Sequence, residues 1–261
     1  MVTDRRHRFL SPLLLVALLL AGVRAAADDI VVMTSGAFTA AYLSLSETFS
    51  LTSGNKFITA ATTMGVGGAS IPSRLAAGES VDIVIVASDA LEQLTADGRI
   101  VRGSRLDLGQ SSIAMAVRQG AARPDISSVE ALKRALLAAK SVAYSASVSG
   151  DYLVQELFPR LGIVSEMRGK TQRIERERVG AVVARGDAEI GFQQVSELRP
   201  IPGIEIVGLL PPDVQRVTVF SAGIATTSKH PDAARAFLTF LASPAAQKVI
   251  EDTGLEPLHP R

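Results

Sequence analysis

Small hydroxyl-bearing residues cluster after three apolar runs that the sequence predicts to be strands. The clusters are Thr34–Gly36, Ala61–Ser70 and Ser145–Gly150, and each precedes a run predicted to be helical. Ligands of α/β proteins bind outside the carboxyl ends of strands, where helix N-termini present free N–H groups and partial positive charge. A single cluster of this kind could serve only to cap the helix that follows it. Three together favour a binding site for a small anion with several charges.

Residue types that are absent narrow the chemistry further. The chain has no cysteine, and after residue 27 its histidines are His230 and His259. Disulfides, thiolate metal sites and a cysteine nucleophile are excluded, and neither a Ser-His-Asp triad nor a histidine metal site is expected. The sequence carries no G-x-x-x-x-G-K-[ST] motif, and Met64–Gly68 lacks the spacing of a dinucleotide fingerprint. We predict no metal and no cofactor, so any catalysis must use carboxylate, Tyr, Lys or Ser side chains.

Two further segments could recognise carboxylates. The run Glu175–Arg178 is either a solvated charged surface or places Arg176 or Arg178 at the start of the next helix. There a guanidinium could pair with a carboxylate through two hydrogen bonds. The segment Gln193–Glu197 ends a predicted strand, and its amides could bind a carboxylate or only cap the next element.

Strand-like and helix-like runs alternate along the chain, which is typical of the α/β class. Asp82 lies in an apolar run, where we expect it to fix loop backbone, and Arg74 is expected to form a surface ion pair. A polar loop is predicted at 194–197 and a loose tail from 256 onwards. The predicted strands are 30–33, 56–60, 81–86, 111–117, 141–144, 189–193 and 215–224. The predicted helices are 38–51, 71–77, 90–96, 127–140, 151–161, 179–185, 230–241 and 243–250, with Ser88 and Asp89 capping the third.

Residues 1–27 predict a cleavable secretory signal peptide. Basic residues at positions 5–8 precede an apolar run, and Ala25-Ala26-Ala27 is a cleavage signature. An amino-terminal membrane anchor is the alternative, although the apolar run is short for a span. Removing residues 1–27 changes the formal net charge from +1 to −2, which favours neither nucleic acid nor an anionic membrane as partner. We expect a periplasmic protein that is not inserted in the membrane after cleavage.

Three motifs resemble those of periplasmic solute-binding proteins of ABC importers, in particular the molybdate-binding type. They are RLAAGESVDIVI (74–85), ARGDAEIG (184–191) and AFLTFLASPAAQ (236–247). The resemblance implies a two-lobed type II periplasmic binding protein fold, each lobe a mixed sheet flanked by helices, with the ligand in the cleft between lobes. It also implies crossover strands near 111–117 and 216–224, one lobe formed by 28–110 and 218–261, and the other by 111–217.

The resemblance also implies ligand contacts, several of which differ from the molybdate pattern. The family's first-loop serine falls on Ala37, with Ser35 two residues away, and its second-loop serine cluster falls on Thr62–Gly65. An apolar family position falls near Arg176 and a tyrosine falls on Gln194. These differences imply a larger ligand with planar anionic groups, such as a di- or tricarboxylate. The implied ligand-binding residues are Ser35, Thr63, Met64, Ser70, Ser149, Arg176, Arg178 and Gln194.

At a closer level the chain resembles a branch of this family that includes periplasmic aconitate isomerases. That resemblance implies a cofactor-independent allylic proton shift between trans- and cis-aconitate, with hydroxyl and cationic donors stabilising the dienolate. One group must remove a proton from carbon and return it at another carbon. The candidates are Glu197, Tyr144 and Asp151, each of which could instead be structural. The alternative function is the non-catalytic receptor of an ABC importer for a small carboxylate or an oxyanion such as molybdate, and only that function implies a permease as partner.

Overall fold

The computed structural model describes residues 27–61 and 70–258, in which strands and helices alternate as the α/β class requires. The strands are β1 (Asp29–Thr34), β2 (Lys56–Ala61), β3 (Ile83–Ala87), β4 (Leu106–Arg118), β5 (Val142–Ser145), β6 (Thr171–Ile174), β7 (Ile190–Gln194), β8 (Ile204–Leu209), β9 (Val217–Ile224) and β10 (Glu256–Pro257). The helices are α1 (Gly36–Ser53), α2 (Ile71–Ala76), α3 (Ser88–Ala96), α4 (Val129–Ala138), α5 (Val148–Tyr152), α6 (Phe158–Leu161), α7 (Val164–Met167), α8 (Val179–Arg185), α9 (Val195–Leu198), α10 (Pro231–Leu241) and α11 (Pro244–Asp252). A π-helical turn (Leu153–Leu157) joins α5 to α6. In the part of the chain that the structure describes, every helix is too short or too polar to span a bilayer.

The strands form two lobes that are joined through β4 and β9. The sheet order is β2-β1-β3-β9-β4-β7-β5-β6, and β8 and β10 also pair with β4. Strand β4 pairs with β9 over Leu106–Ser112 and with β7 over Ile113–Val117, so one strand belongs to both lobes. We call the part with β1–β3, β9, β10, α1–α3, α10 and α11 the terminal lobe, and the part with β5–β8 and α4–α9 the central lobe. The residue bounds predicted for the lobes stay a prediction.

Each lobe has its own hydrophobic core. In the terminal lobe, Phe38 and Tyr42 of α1 share a core with Phe237 of α10. In the central lobe, Leu132 of α4 shares a core with Phe192 of β7. Strand β3 lies between β1 and β9 and is buried at every position, because a strand covered by helices on both faces needs apolar residues throughout. The long periodic segments of the sequence therefore form the elements that were predicted from them.

Asp82 fixes loop backbone, as predicted. Its buried carboxylate joins β1 to the segment that begins α10, far away in the sequence. It accepts hydrogen bonds from the backbone N–H groups of Val31 (2.8 Å), Lys229 (2.9 Å) and His230 (3.0 Å), and from Ser228 Oγ (2.7 Å). The predicted ion pair of Arg74 is also present, and its partner is Glu79.

Several boundaries differ from the sequence prediction. The helix predicted from residue 151 begins at Val148, so Ser149 and Gly150 lie in its first turn, and Ser88 and Asp89 lie inside α3 instead of capping it. The predicted polar loop at 194–197 is mostly helix α9. In the tail that was predicted to be loose, Glu256 and Pro257 form β10, where Glu256 pairs with Gln110 of β4, and residues 259–261 lie outside the described residues. The structure thus orders polar segments that carry no strong local pattern.

The sequence prediction omitted the short elements α7, β6 and β8. They have four, four and six residues. Helices this short are not stable by themselves, and short strands depend on the partner with which they pair. Strand β6 pairs with β5, and β8 pairs with β4. The predicted signal peptide lies outside the described residues, apart from Ala27.

Candidate functional site

A cavity of about 260 Å³ lies between the two lobes. It is bordered by the carboxyl ends of β1, β3, β5, β6 and β7 and by the helix starts that follow them. This is where strand topology places the ligands of α/β proteins. Its polar lining residues are Ser35, Thr39, Ser145, Ser147, Ser149, Glu175, Arg176, Glu177, Arg178, Gln193, Gln194, Glu197 and Thr218.

Ser35 presents a buried hydroxyl at the start of α1. It is 5% exposed, has extended backbone angles and makes no capping bond with its side chain. Among the described residues its Oγ has no hydrogen-bond partner. A buried hydroxyl without a partner costs free energy, and the first N–H groups of a helix also lack intrahelical partners. The start of α1 is therefore suited to receive an anionic oxygen from a ligand.

Three serine hydroxyls form a cluster on the central lobe. Ser145 Oγ lies 2.7 Å from Ser147 Oγ and 3.1 Å from Ser149 Oγ, and the last two are 3.3 Å apart. The cluster is compact because Gly150, one position further on, packs directly on the Ser145 carbonyl, where any side chain would collide. Hydroxyls can donate or accept, so this cluster can turn its protons towards an anion.

Glu197 places a buried carboxyl group in the same cavity. It lies on the short helix α9 and is 7% exposed. Gln193 Nε2 donates to Glu197 Oε1 at 2.9 Å, and Arg178 Nη1 donates to the Glu197 backbone oxygen at 3.3 Å. Burial raises the pKa of Glu197 to about 7, against the lowering effects of the Arg178 charge and the Gln193 hydrogen bond. A carboxyl group with this pKa can accept and return a proton near neutral pH.

The charged run at 175–178 presents its arginines to the cavity. Arg176 and Arg178 both line it. The two acids of the run also border the cavity, but each is paired with an arginine outside the lining: Glu175 with Arg173 (3.1 Å) and Glu177 with Arg185 (2.8 Å). The Arg185 guanidinium holds the pKa of Glu177 below its usual value. These pairs offset the negative charge of the run, which leaves the wall favourable for an anion.

Gln194 lies where the two lobes join. With its amide oriented so that donors meet acceptors, Nε2 donates to the carbonyl oxygens of Ser111 (2.9 Å) and Ser112 (3.2 Å) of β4, and Oε1 accepts from Thr218 Oγ1 of β9 (3.0 Å). The side chain is buried and also borders the cavity. Gln194 therefore links both crossover strands at the edge of the site.

The structure brings together six of the residues that were singled out from the sequence, namely Ser35, Ser149, Arg176, Arg178, Gln194 and Glu197. Tyr144 and Asp151 lie outside the cavity lining, and Asp151 faces Arg173 at 3.8 Å with its side chain half exposed. Ser70 caps α2, where its Oγ accepts from the Ser73 N–H. Thr63 and Met64 lie outside the described residues.

Sequence reasoning did not include Ser145, Ser147 or Gln193 among the site residues. The two serines belong to the hydroxyl-rich segment 145–150, which was recognised as a cluster but represented only by Ser149. Gln193 was noticed as part of a polar strand end, but its contact with Glu197 depends on α9 being helical. Gln193 lies in β7 and Glu197 in α9, so the pair forms where the strand turns into the helix, and no periodic pattern in the sequence relates the two residues.

Within residues 27–61 and 70–258, no group of three or more His, Asp or Glu side chains is arranged to hold a metal ion. The cavity instead combines hydroxyls, guanidinium groups, a helix start and one buried carboxyl group. This lining is suited to an anion and includes one group that can exchange a proton.

Comparison with known proteins defines the class. Residues 30–256 match the family of bacterial extracellular solute-binding proteins, and the chain belongs to this family. Its fold is the two-lobed periplasmic binding protein fold, as predicted. The substrate-binding protein of an ABC transporter from Agrobacterium tumefaciens superposes with a TM-score of 0.70 at 16% identity, over 92% of this chain and 82% of that chain. The periplasmic molybdate-binding protein of Azotobacter vinelandii superposes with a TM-score of 0.67 at 17% identity, over 89% and 100%.

One relative is much more similar in sequence. An aconitate isomerase from Pseudomonas sp is 52% identical over 201 residues, which is 77% of this chain and 77% of that protein. The resemblance to a molybdate-type branch with aconitate isomerases is therefore confirmed at the level of sequence.

Proposed function

We propose that this protein interconverts trans-aconitate and cis-aconitate by an allylic proton shift in the cleft between its lobes. The observation that carries the proposal is the buried Glu197 carboxyl group, whose pKa of about 7 suits proton transfer, among donors suited to carboxylates. The 52% identity to an aconitate isomerase supports the same substrate. A transport receptor needs the donors but has no use for a proton-exchanging group.

The reaction needs one proton to leave carbon and one to return. The Glu197 carboxylate removes a proton from the substrate methylene, and the C–H electron pair spreads through the double bond into a carboxylate as a dienolate. The carboxyl group then delivers a proton to the former vinylic carbon, so the double bond moves one position. Rotation about the bond that is single in the dienolate allows the product to have either geometry. Atoms and electrons balance without any other reactant.

The walls of the cavity stabilise the charge that develops. The serine cluster and the start of α1 supply donors on opposite lobes, and Arg176 and Arg178 supply positive charge. Donors that are already oriented stabilise a dienolate more than water does, because they need no reorganisation. Closure of the lobes would exclude water from the cleft. We place the reaction in the periplasm, after removal of residues 1–27 as a signal peptide.

The test is to incubate purified residues 28–261 with trans-aconitate in D2O and to follow cis-aconitate by proton NMR. We expect turnover by the wild type, with deuterium entering the methylene as Glu197 exchanges with solvent. Glu197→Gln should lower kcat by at least about 10²-fold because a general base contributes that much or more. Glu166→Gln, on the exposed surface of α7, is the matched control and should keep wild-type activity.

Absence of turnover, together with a raised melting temperature in trans-aconitate or molybdate, would contradict the isomerase. That result would favour the receptor of an importer, which the family and fold also suit. Turnover that survives in Glu197→Gln would keep the isomerase but remove Glu197 as its base.

A further inference from the structure

The Glu197 carboxyl group is held by residues from both lobes. On the central lobe, Gln193 Nε2 donates to Oε1 at 2.9 Å. On the terminal lobe, Gly36, the first residue of α1, lies directly against the same oxygen. The two contacts place this carboxyl group at the junction of the lobes.

Gln193 can present only its NH2 group to Glu197. The backbone N–H of Val179, at the start of α8, donates to Gln193 Oε1 at 3.0 Å. Because a backbone N–H has no acceptor capacity, it fixes the amide oxygen on its own side and turns Nε2 towards Glu197. The orientation of one carboxyl oxygen is therefore set by the fold of the central lobe.

A glycine is needed at position 36 because there is no room for a side chain, and not because of its backbone conformation. It is not among the glycines with positive φ, so an alanine would keep the same backbone. A methyl group here would collide with Glu197 Oε1 and come within 3.4 Å of Cδ. The colliding atoms are the far end of a side chain, so an added methyl would displace the carboxyl group and leave both backbones in place.

We propose that Gly36 and Gln193 are positioning residues for Glu197, Gln193 orienting one oxygen of the carboxyl group and Gly36 making room for it against α1. The inference rests on the proposed function in assigning the base role to Glu197. Gly36 belongs to the other lobe, so the two lobes meet at this carboxyl group.

The other charged groups near Glu197 come from the 175–178 run. Arg178 donates to its backbone oxygen, and Arg176, Glu175 and Glu177 line the same cavity. The first turn of α1 carries no acidic residue. Substituting Gly36 or Gln193 leaves all of these charges unchanged. A change in the pKa of Glu197 in either variant therefore reports a change in the position or hydrogen bonding of its carboxyl group.

The main variant is Gly36→Ala. We expect kcat to fall on the order of 10²-fold with little change in KM, because small misplacement of a reacting group has that effect. Carbon NMR of labelled glutamate, assigned with Glu197→Gln, should show the Glu197 pKa falling towards its ordinary 4.5, since the displaced group regains water. Melting temperature should be unchanged or higher, because alanine suits a helix better than glycine. Gly208→Ala, whose methyl would make only an ordinary 3.6 Å contact with Ile126, is the control.

The second variant, Gln193→Leu, should change the pKa of Glu197 in the opposite direction. Loss of the hydrogen bond that lowers the pKa of Glu197 should raise that pKa and move the acidic limb of the pH–rate profile upwards. In a Glu197→Gln background, Gly36→Ala should have no further effect on activity, since residues that act through one group are not additive.

Wild-type kcat and an unchanged Glu197 pKa in Gly36→Ala would overturn the role of Gly36, and an unchanged pKa in Gln193→Leu would overturn that of Gln193. If the wild type does not act on aconitate, the proposed function fails. The NMR measurement of the Glu197 pKa in each variant still decides whether these two residues position Glu197, because that measurement needs no substrate.

Discussion

At the scale of single residues, Glu197 shows how burial can outweigh favourable charges. A guanidinium and an amide donor lower the pKa of this carboxyl group, yet desolvation raises it to about 7. The group therefore stays partly protonated at neutral pH in a cleft that is otherwise suited to anions. Such a shift is also a statement about stability, because the folded and unfolded chains bind protons differently.

We predict that Glu197 makes stability fall as pH rises from 4.5 to about 7. Its pKa is raised in the folded state, so its contribution is complete below 4.5, its ordinary value, and is lost as pH passes through about 7. The difference is about 3 kcal/mol, from roughly 1.4 kcal/mol per pKa unit. Urea unfolding at several pH values should therefore show Glu197→Gln gaining stability relative to wild type as pH rises. Parallel pH curves for the two proteins would contradict the prediction, and Glu166→Gln should follow the wild type.

Sequence reasoning identified Glu197 but could not rank it above Tyr144 and Asp151. All three belong to residue types that can exchange protons, and all three lie at or after the end of a predicted strand. Glu197 differs from the other two because it is buried where α9 packs against α1. This packing brings together residues about 160 positions apart in the sequence, which no local pattern relates. Ser145 and Ser147 were not predicted as site residues, although their segment was recognised, because tertiary packing decides which of its hydroxyls face the cavity.

At the scale of elements, the 175–178 run resolves an ambiguity that the sequence left open. It was either a solvated surface or a wall of the site, and its acids pair with Arg173 and Arg185 while Arg176 and Arg178 border the cavity. The long helices α1 and α10 were predictable because their apolar periodicity matches the core they cover. Short elements such as α9 and β6 were not, because tertiary pairing stabilises them.

We predict that Arg176→Ala raises KM for trans-aconitate about tenfold with a smaller effect on kcat. A charge-assisted contact to a carboxylate of that strength corresponds to roughly 1.4 kcal/mol. Steady-state kinetics measure the change, and Arg168→Ala, which removes the same charge from an exposed site on the same lobe, is the control. Equal KM values in the wild type and Arg176→Ala would place Arg176 outside the binding site.

At the scale of the whole molecule, strands β4 and β9 join the two lobes. Gln194 links β4 to β9 where the two strands pair, and Gln215 adds hydrogen bonds to the backbone of Ile113 on β4 (2.9 Å and 3.0 Å). The alternation of strands and helices predicted the class of fold, and the family resemblance predicted two lobes. The amide links at the junction were not predictable, since they join residues that no local pattern relates.

We predict that Gln194→Leu weakens the closure that accompanies ligand binding. Small-angle X-ray scattering should show the radius of gyration of the wild type falling when trans-aconitate is added, with a smaller fall in the variant. Affinity should drop about tenfold, because a less ordered junction leaves less of the binding-competent form populated. Gln172→Leu, which alters a partly exposed glutamine away from the cavity, should behave as wild type. The same compaction in Gln194→Leu would show that the junction does not depend on this amide.

The position of β9 between β3 and β4 has a consequence for how the protein is made. The chain emerges from its amino end, both at the ribosome and during export, so β3 appears long before the strand that must cover its edge. The central lobe is formed by one continuous segment of the sequence, so it can fold before the terminal lobe is complete. During that interval β3, apolar at every position, offers an open edge of the kind that pairs with other nascent chains. The time in which residues 88–224 emerge thus sets the period in which a chaperone is most needed.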